Sequence, residues 1–237
     1  MKKRNLLINI AANTVIIAVL LTIALVGVGG VTETLAQGGS AVYRGNTDKP
    51  EVSLMFNVYW GTEYIDGILK TLDKYGVKCT FFIGGSWAAK NSGTLKAIAE
   101  AGHEIASHGY SHKDAENLNY KQNVDELVPT AKLIKELTGT EVKLFAPPSG
   151  SVGEAMFQAC SDYGYTVVMW SRDTVDWRDK NADTVYTRAT SGVQNGELIL
   201  MHPTEHTLEA LPRILEFYAD NGLRAVTVSA NLAPASE

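Results

Sequence analysis

Proline is scarce in this chain, at 7 of 237 residues, and there is no low-complexity tract and no internal repeat. With apolar residues at 45%, those shortages argue against a disordered polymer and for one sizeable folded core. Cysteine is scarcer still. Cys79 and Cys160 are the only two, so no zinc-type cysteine spacing exists. Export would allow them to pair. Cys79 lies in an apolar run and Cys160 near the end of a helical pattern, however, and two buried free thiols are the expectation. A basic excess is also missing. Setting aside residues 1–36, the chain keeps 18 basic and 25 acidic side chains, a formal charge of −7. That balance argues against nucleic acid as a partner, which wants a basic face.

What the first residues do contain is a membrane-targeting pattern. Lys2, Lys3 and Arg4 precede an uncharged apolar run over residues 14–31. Its 18 residues fall between a long signal-peptide core and a short spanning helix. Thr34-Leu35-Ala36 offers a small-residue cleavage site, so residues 1–36 read as a signal peptide or as an uncleaved signal anchor. Either reading puts the remainder outside the cytoplasm, secreted or anchored to the cell membrane. Residues 37–50, rich in small and polar side chains, read as a linker to a domain over 51–237.

From Glu51 the pattern alternates between strand and helix. Strands are expected over 52–59, 77–83, 103–107, 142–145, 165–170, 197–201 and 224–228. Helices are expected over 63–74, 93–101, 120–137, 154–163, 182–193 and 207–221. The alternation implies a parallel sheet with right-handed crossovers. A closed or nearly closed (β/α) barrel and an open doubly wound sheet both fit about seven such strands.

The chemistry-bearing residues gather just past the strand ends, the usual functional rim of a parallel sheet. The first strand delivers Asn57, Tyr59 and Trp60. The third delivers His108 and His112, four positions apart, a spacing that can bring two imidazoles to one divalent ion. Pro147, Pro148 and Gly150 follow the fourth strand, Asp173, Asp176 and Trp177 the fifth, and His202 the sixth. Each has an ordinary structural reading, such as a strand stop at Pro148 or a helix cap at Asp173. Their joint placement on one rim points to a hydrolytic site.

The motifs GHEIASHGYSH, APPSG, DTVDW and LMH, in that order, resemble the polysaccharide deacetylases of the NodB-homology type, carbohydrate esterase family 4. The run KYGVKCTFFIGG is similar to that family's second strand, and the resemblance extends over about residues 51–228. It implies a distorted (β/α) barrel that removes acetyl groups from N-acetylated cell-envelope polysaccharide, peptidoglycan or a similar polymer. It implies a divalent metal, zinc, at His108 and His112, with His202 as general acid and Asp176 orienting it. Trp177 and Leu200 would wall the acetyl pocket, and Trp60 and Pro148 would contact the glycan. Nothing in the sequence suggests more than a monomer.

The resemblance is incomplete at one place. Where the family carries two adjacent aspartates after the first strand, a general base and a metal ligand, this chain reads MFNVYWG, with Asn57 and Val58. Ala146 stands in place of the arginine that pairs with the base. Asn57 cannot take a proton from water, and Val58 cannot bind a metal. Two neutral imidazoles hold zinc weakly, so a third ligand would have to come from Asn57 or Glu63, less readily from Asp114, and the base from Glu63, Asp173 or metal-bound hydroxide. Two functions therefore compete. One is a metal-dependent deacetylase, and the other is a catalytically impaired, membrane-tethered glycan-binding relative. A third, hydrolysis of a different acyl bond, has no residue that singles it out.

Overall fold

Strand β1 (Glu51–Val58) is buried along its entire length and carries the sheet. Beside it lie β2 (Thr80–Ile83), β3 (Glu104–Ser107), β4 (Leu144–Phe145) and β5 (Thr166–Val167) on one side. On the other lie β7 (Leu198–Met201) and β6 (Arg172–Asp173), while β8 (Arg224–Ala225) joins only the start of β1. The order is β5-β4-β3-β2-β1-β7-β6, and every ladder is parallel. These elements belong to a computed structural model that describes residues 39–235. The targeting segment expected at 1–36 lies outside the described residues. Among the described residues no helix is long and apolar enough to cross a membrane.

The helices are α1 (Ile65–Lys74), α2 (Gly85–Lys90), α3 (Ser92–Glu100), α4 (Tyr120–Thr138), α5 (Glu154–Asp162), α6 (Asp176–Asp179), α7 (Ala182–Thr190), α8 (Glu205–Asp220) and α9 (Val228–Leu232). Side chains of a strand alternate between its two faces, and β1 separates two cores accordingly. Val52, Leu54, Phe56 and Val58 join Ile65, Ile68 and Leu72 of α1 and Leu211, Ile214 and Tyr218 of α8 in the outer core. Met55 faces the other way, into a cluster with Phe82, Ala106, Leu144, Ala146, Val168 and Leu198 from the neighbouring strands. That inner cluster fills a distorted (β/α) barrel, as expected. Both cysteines are buried and free.

The barrel is open on one side. Among the described residues no ladder joins β5 to β6, the two ends of the sheet order. The expected strand at 165–170 is cut short because the chain leaves it there: Ser171 N–H donates to the Leu198 carbonyl, 3.0 Å away. At the next residue the chain has become β6, on the far side of the opening.

Residues 42–46, within the stretch expected as a linker, lie along this opening. Val42 exchanges backbone hydrogen bonds of 2.8 Å with Val167 and Met169. Arg44 pairs with Glu197 at 3.0 Å, Gly45 N–H donates to Gly196, and Asn46 N–H to Asn231.

Helix α2 was not anticipated in the sequence. Gly85 is buried, and a Cβ on it would stand 2.4 Å from the Tyr110 ring and 2.7 Å from Thr130 Oγ1, so only glycine fits there. That close approach lets Gly85 and Ser86 N–H groups donate to the carbonyls of Gly109 and Tyr110, both at 2.8 Å. It ties the segment after β3 to the start of α2.

Candidate active site

The period of two that fills the barrel also supplies its mouth. Two residues beyond Met55 comes Asn57, two beyond Ala106 comes His108, and beyond Leu198 come Leu200 and His202. All four line a cavity of about 370 Å³ at the C-terminal ends of the strands, together with Tyr59, His112, Ser149, Trp170, Asp173 and Trp177.

His108 is 1% exposed, and its Nδ1–H donates to the Ala146 carbonyl at 2.8 Å. That bond fixes the tautomer and leaves Nε2 with its lone pair. Burial, reinforced by the charge of nearby His112, pushes the His108 pKa down to about 3, so the ring is neutral at physiological pH. The His112 ring lies 5.0 Å from it, centroid to centroid. His112 has a left-handed backbone (φ +56°), a conformation that needs outside support in a residue other than glycine. Glu126 of α4 gives that support at the two residues just before it, accepting from Tyr110 and Ser111 N–H at 2.7 Å each. Tyr59 stacks on the His112 ring with centroids 3.6 Å apart. Burial lowers the His112 pKa as well.

On the opposite wall His202 Nδ1 bonds Asp176 Oδ1 at 2.8 Å. Asp176 is 1% exposed and receives three further donors: His202 N–H at 2.6 Å, Thr207 Oγ1–H at 2.5 Å and Trp177 N–H at 2.9 Å. A carboxylate so held keeps the imidazole oriented toward the cavity. The Trp60 indole lies 5.1 Å from the His202 ring. Trp60 and Trp177 are both exposed, and with Tyr64, Lys180 and His206 they line a second groove of about 540 Å³ that shares Tyr59 and Trp177 with the cavity.

Other expected residues are placed differently. Asp173 is the one carboxylate among the cavity's lining residues, although its Oδ1 already accepts from Val175 N–H at 2.8 Å. Glu63 is exposed and folds back onto Thr62 N–H at 2.9 Å, and Asp114 is exposed, so neither lines the cavity. Pro148 is buried, with its ring beneath Gly109. Ser149, turned inward by a φ of +56°, lines the cavity instead. Glu126, Thr207 and Ser149 were not anticipated at the site, and Tyr59 was placed at the rim without its stacking on His112.

Val58 is fully buried in the outer core with α1 and α8, so the first strand sends no second polar group to the cavity. Zinc in a hydrolase is commonly held by three protein ligands beside an open position. Here the donors are two neutral imidazoles, one of them covered by a stacked tyrosine. Among the described residues no group of three or more His, Cys, Asp or Glu is placed to hold a metal. The donor set does not fit a tightly bound zinc.

Residues 44–168 match the family model for polysaccharide deacetylase. The chain belongs to the polysaccharide deacetylase family. A relative of this deacetylase-family chain named peptidoglycan-N-acetylglucosamine deacetylase, from Bacillus cereus, is 31% identical over 191 residues, covering 78% of this chain and 70% of its own length. The uncharacterized protein YlxY of Bacillus subtilis is 39% identical over 188 residues, which is 79% of this chain and 59% of that one. Among solved structures, a CE4 family pseudoenzyme from Bacillus anthracis matches with a TM-score of 0.80 at 34% identity, over 82% of this chain and 69% of the other. Relatives named as peptidoglycan deacetylases support the first of the two competing functions, the deacetylase. The pseudoenzyme shows that the same fold also occurs without the activity.

Proposed function

We propose that the cavity receives an N-acetylated sugar of cell-envelope polysaccharide, peptidoglycan or a similar polymer. The domain is a hydrolase of acetyl groups in which the proton-donating half of the machinery is intact and the proton-accepting half is replaced. The observation that carries this reading is the His202–Asp176 pair, fully bonded and facing the same cavity as Asn57. His202 protonates the leaving nitrogen, and Leu200 and Trp177 wall the acetyl group. Asp173 is the carboxylate available to take a proton. The exposed faces of Trp60 and Trp177 suit the apolar faces of sugar rings along the adjoining groove. Losing a positioned base costs about 10²–10⁴-fold, so turnover is slow.

The proposal extends to the metal. Zinc would be held by His108 and His112 and would polarise the acetyl carbonyl, but two neutral imidazoles bind it weakly. Location outside the cytoplasm, with the chain monomeric and secreted or tethered by residues 1–36, belongs to the same reading. Its support is the uncharged run at 14–31 behind Lys2, Lys3 and Arg4.

A second reading, glycan binding without turnover, is favoured by Asn57, Val58 and Ala146 standing together where a base, a metal ligand and the partner of the base are expected. The deciding experiment follows acetate release from tetra-N-acetylchitotetraose by the full-length chain, with and without added zinc, beside His202→Ala. Slow release lost in His202→Ala supports the hydrolase. Binding with no acetate in any condition establishes the second reading and overturns the first.

A further inference from the structure

The cavity occupies the C-terminal ends of the strands, and a different surface lies at their other ends. Lys143 stands just before β4, and Tyr165 just before β5. With Lys132 and Lys135 of α4, Glu141 and Tyr163, they line an open groove of about 320 Å³. Three cations meet one carboxylate there, on a chain whose residues beyond 36 carry 25 acidic side chains against 18 basic ones. The lysines are exposed and not locked in place. Lys135 pairs with Glu141 at 2.5 Å and Lys132 with Glu136 at 3.9 Å, both in solvent, and Lys143 forms no ion pair among the described residues. Exposed pairs of this kind hold little energy, so the ammonium groups are free to meet another anion. Tyr163, 48% exposed, sets an aromatic ring beside them.

The chain enters the barrel beside this groove. Ala41 and Tyr165 pack against the same core cluster, that of Phe145 and Val167, and Val42 bonds to Val167 of β5. Ala41 follows the uncharged run at 14–31 by ten residues, a reach of at most about 35 Å when fully extended. An anchor in that run therefore keeps the groove close to a bilayer surface. Tyrosine rings settle at the headgroup level of a bilayer, and lysines extend their stems to pair with anionic headgroups. Glu136 and Glu141 weaken the attraction, so it suffices only where a tether holds the local concentration high.

We propose that the groove of Lys132, Lys135, Lys143 and Tyr163 is a docking surface for anionic phospholipid headgroups. It seats the N-terminal end of the barrel on the membrane and turns the cavity, at the opposite end, outward. This rests on the reading of residues 1–36 as an uncleaved anchor. It adds an orientation, because a tether alone leaves the domain free to tumble. Each lysine at such a surface raises the seated fraction roughly fivefold.

The test inserts the full-length chain into vesicles of phosphatidylcholine, with and without about a third of phosphatidylglycerol. A membrane-impermeant acylating reagent then reports the reaction rate of each lysine, with Lys180 beside the cavity as internal reference. On the anionic vesicles Lys132, Lys135 and Lys143 are expected to react about threefold or more slowly, relative to Lys180, than on the neutral ones. Salt at about 1 M should remove the difference. Lys132→Glu combined with Lys143→Glu should remove the protection of Lys135 as well. Equal relative rates on the two vesicles overturn the headgroup surface and leave the anchor standing. Protection of Lys180 in place of the three overturns it too, since the cavity end would then face the bilayer. Protection by polyphosphate on neutral vesicles, with none on anionic ones, assigns the groove to a soluble polyanion and overturns the lipid. A chain that joins neither vesicle overturns the anchor itself. The native chain alone carries these comparisons, so the decision does not depend on a variant folding.

Discussion

Asp176 illustrates how one side chain carries both a structural and a chemical duty. Four donors converge on two oxygens of a carboxylate that is nearly sealed from water. Asp176→Asn keeps the volume but replaces one acceptor with a donor pair, leaving at least one N–H or O–H facing another donor. Breaking such a buried charged arrangement on one side costs about 3–5 kcal/mol. Thr207→Val removes only one of the four donors and should cost about 1 kcal/mol. Urea unfolding midpoints of the two variants measure the contrast. Asp176→Asn within about 1 kcal/mol of the native chain would mean that the carboxylate is not the anchor of this wall. The strand pattern put Asp176 and His202 on one rim, and their pairing was legible only through the resemblance of DTVDW and LMH to the family's motifs. Thr207 was not, since nothing in the segment marks a threonine as reaching across 31 residues to that carboxylate.

At the scale of elements, the segment from His108 to His112 is held from three directions. Ala146 fixes the His108 ring, Gly85 and Ser86 of α2 bind its carbonyls, and Glu126 of α4 gathers two of its amides. Glu126 is the one of the three that supports the left-handed residue directly, because its donors are the two residues before His112. Glu126→Gln keeps an acceptor but loses the charge that shortens and strengthens both bonds. The expected result is a loss of about 1–2 kcal/mol, with faster hydrogen exchange confined to the Tyr110 and Ser111 amides. Unchanged exchange at both would show that α2 and Ala146 suffice. The histidines themselves could be read from their spacing and from the strand before them. The support for them could not, because Glu126 looks like any surface acid on an amphipathic helix, and Gly85 looks like a turn. Both acquire their meaning only when distant segments meet. The cavity residues of the strands were legible for a simpler reason: a period of two that buries Met55, Ala106 and Leu198 inside the barrel carries Asn57, His108 and Leu200 to its mouth.

For the molecule as a whole, the weak line is the opening between β5 and β6, where a parallel sheet that nearly closes leaves two edges unpaired. Open edges invite pairing with other chains, and proteins cover them. Val42 covers the β5 edge here with backbone bonds to Val167 and Met169, Gly45 and Asn46 bond to Gly196 and Asn231, and Arg44 sits on Glu197, whose second cation is Arg172. Glu197 is 4% exposed, so losing Arg44 leaves a buried carboxylate with half its neutralising charge. The composition of 37–50 gave no sign of this, because small and polar residues suit a strap along an edge as well as a free tether. A chain beginning at Thr47 loses four or more backbone hydrogen bonds and one ion pair relative to a chain beginning at Gly39. At about 0.5–1.5 kcal/mol for each bond, the expected cost is about 2–6 kcal/mol, a fall of several degrees in melting temperature for a domain of this size. Scanning calorimetry of the two chains measures it, and light scattering reports whether the exposed edges then associate. Equal melting temperatures would make the strap dispensable, and residues 42–46 would be a tether that merely rests on the barrel. A lower temperature with new association would make them the barrel's missing edge.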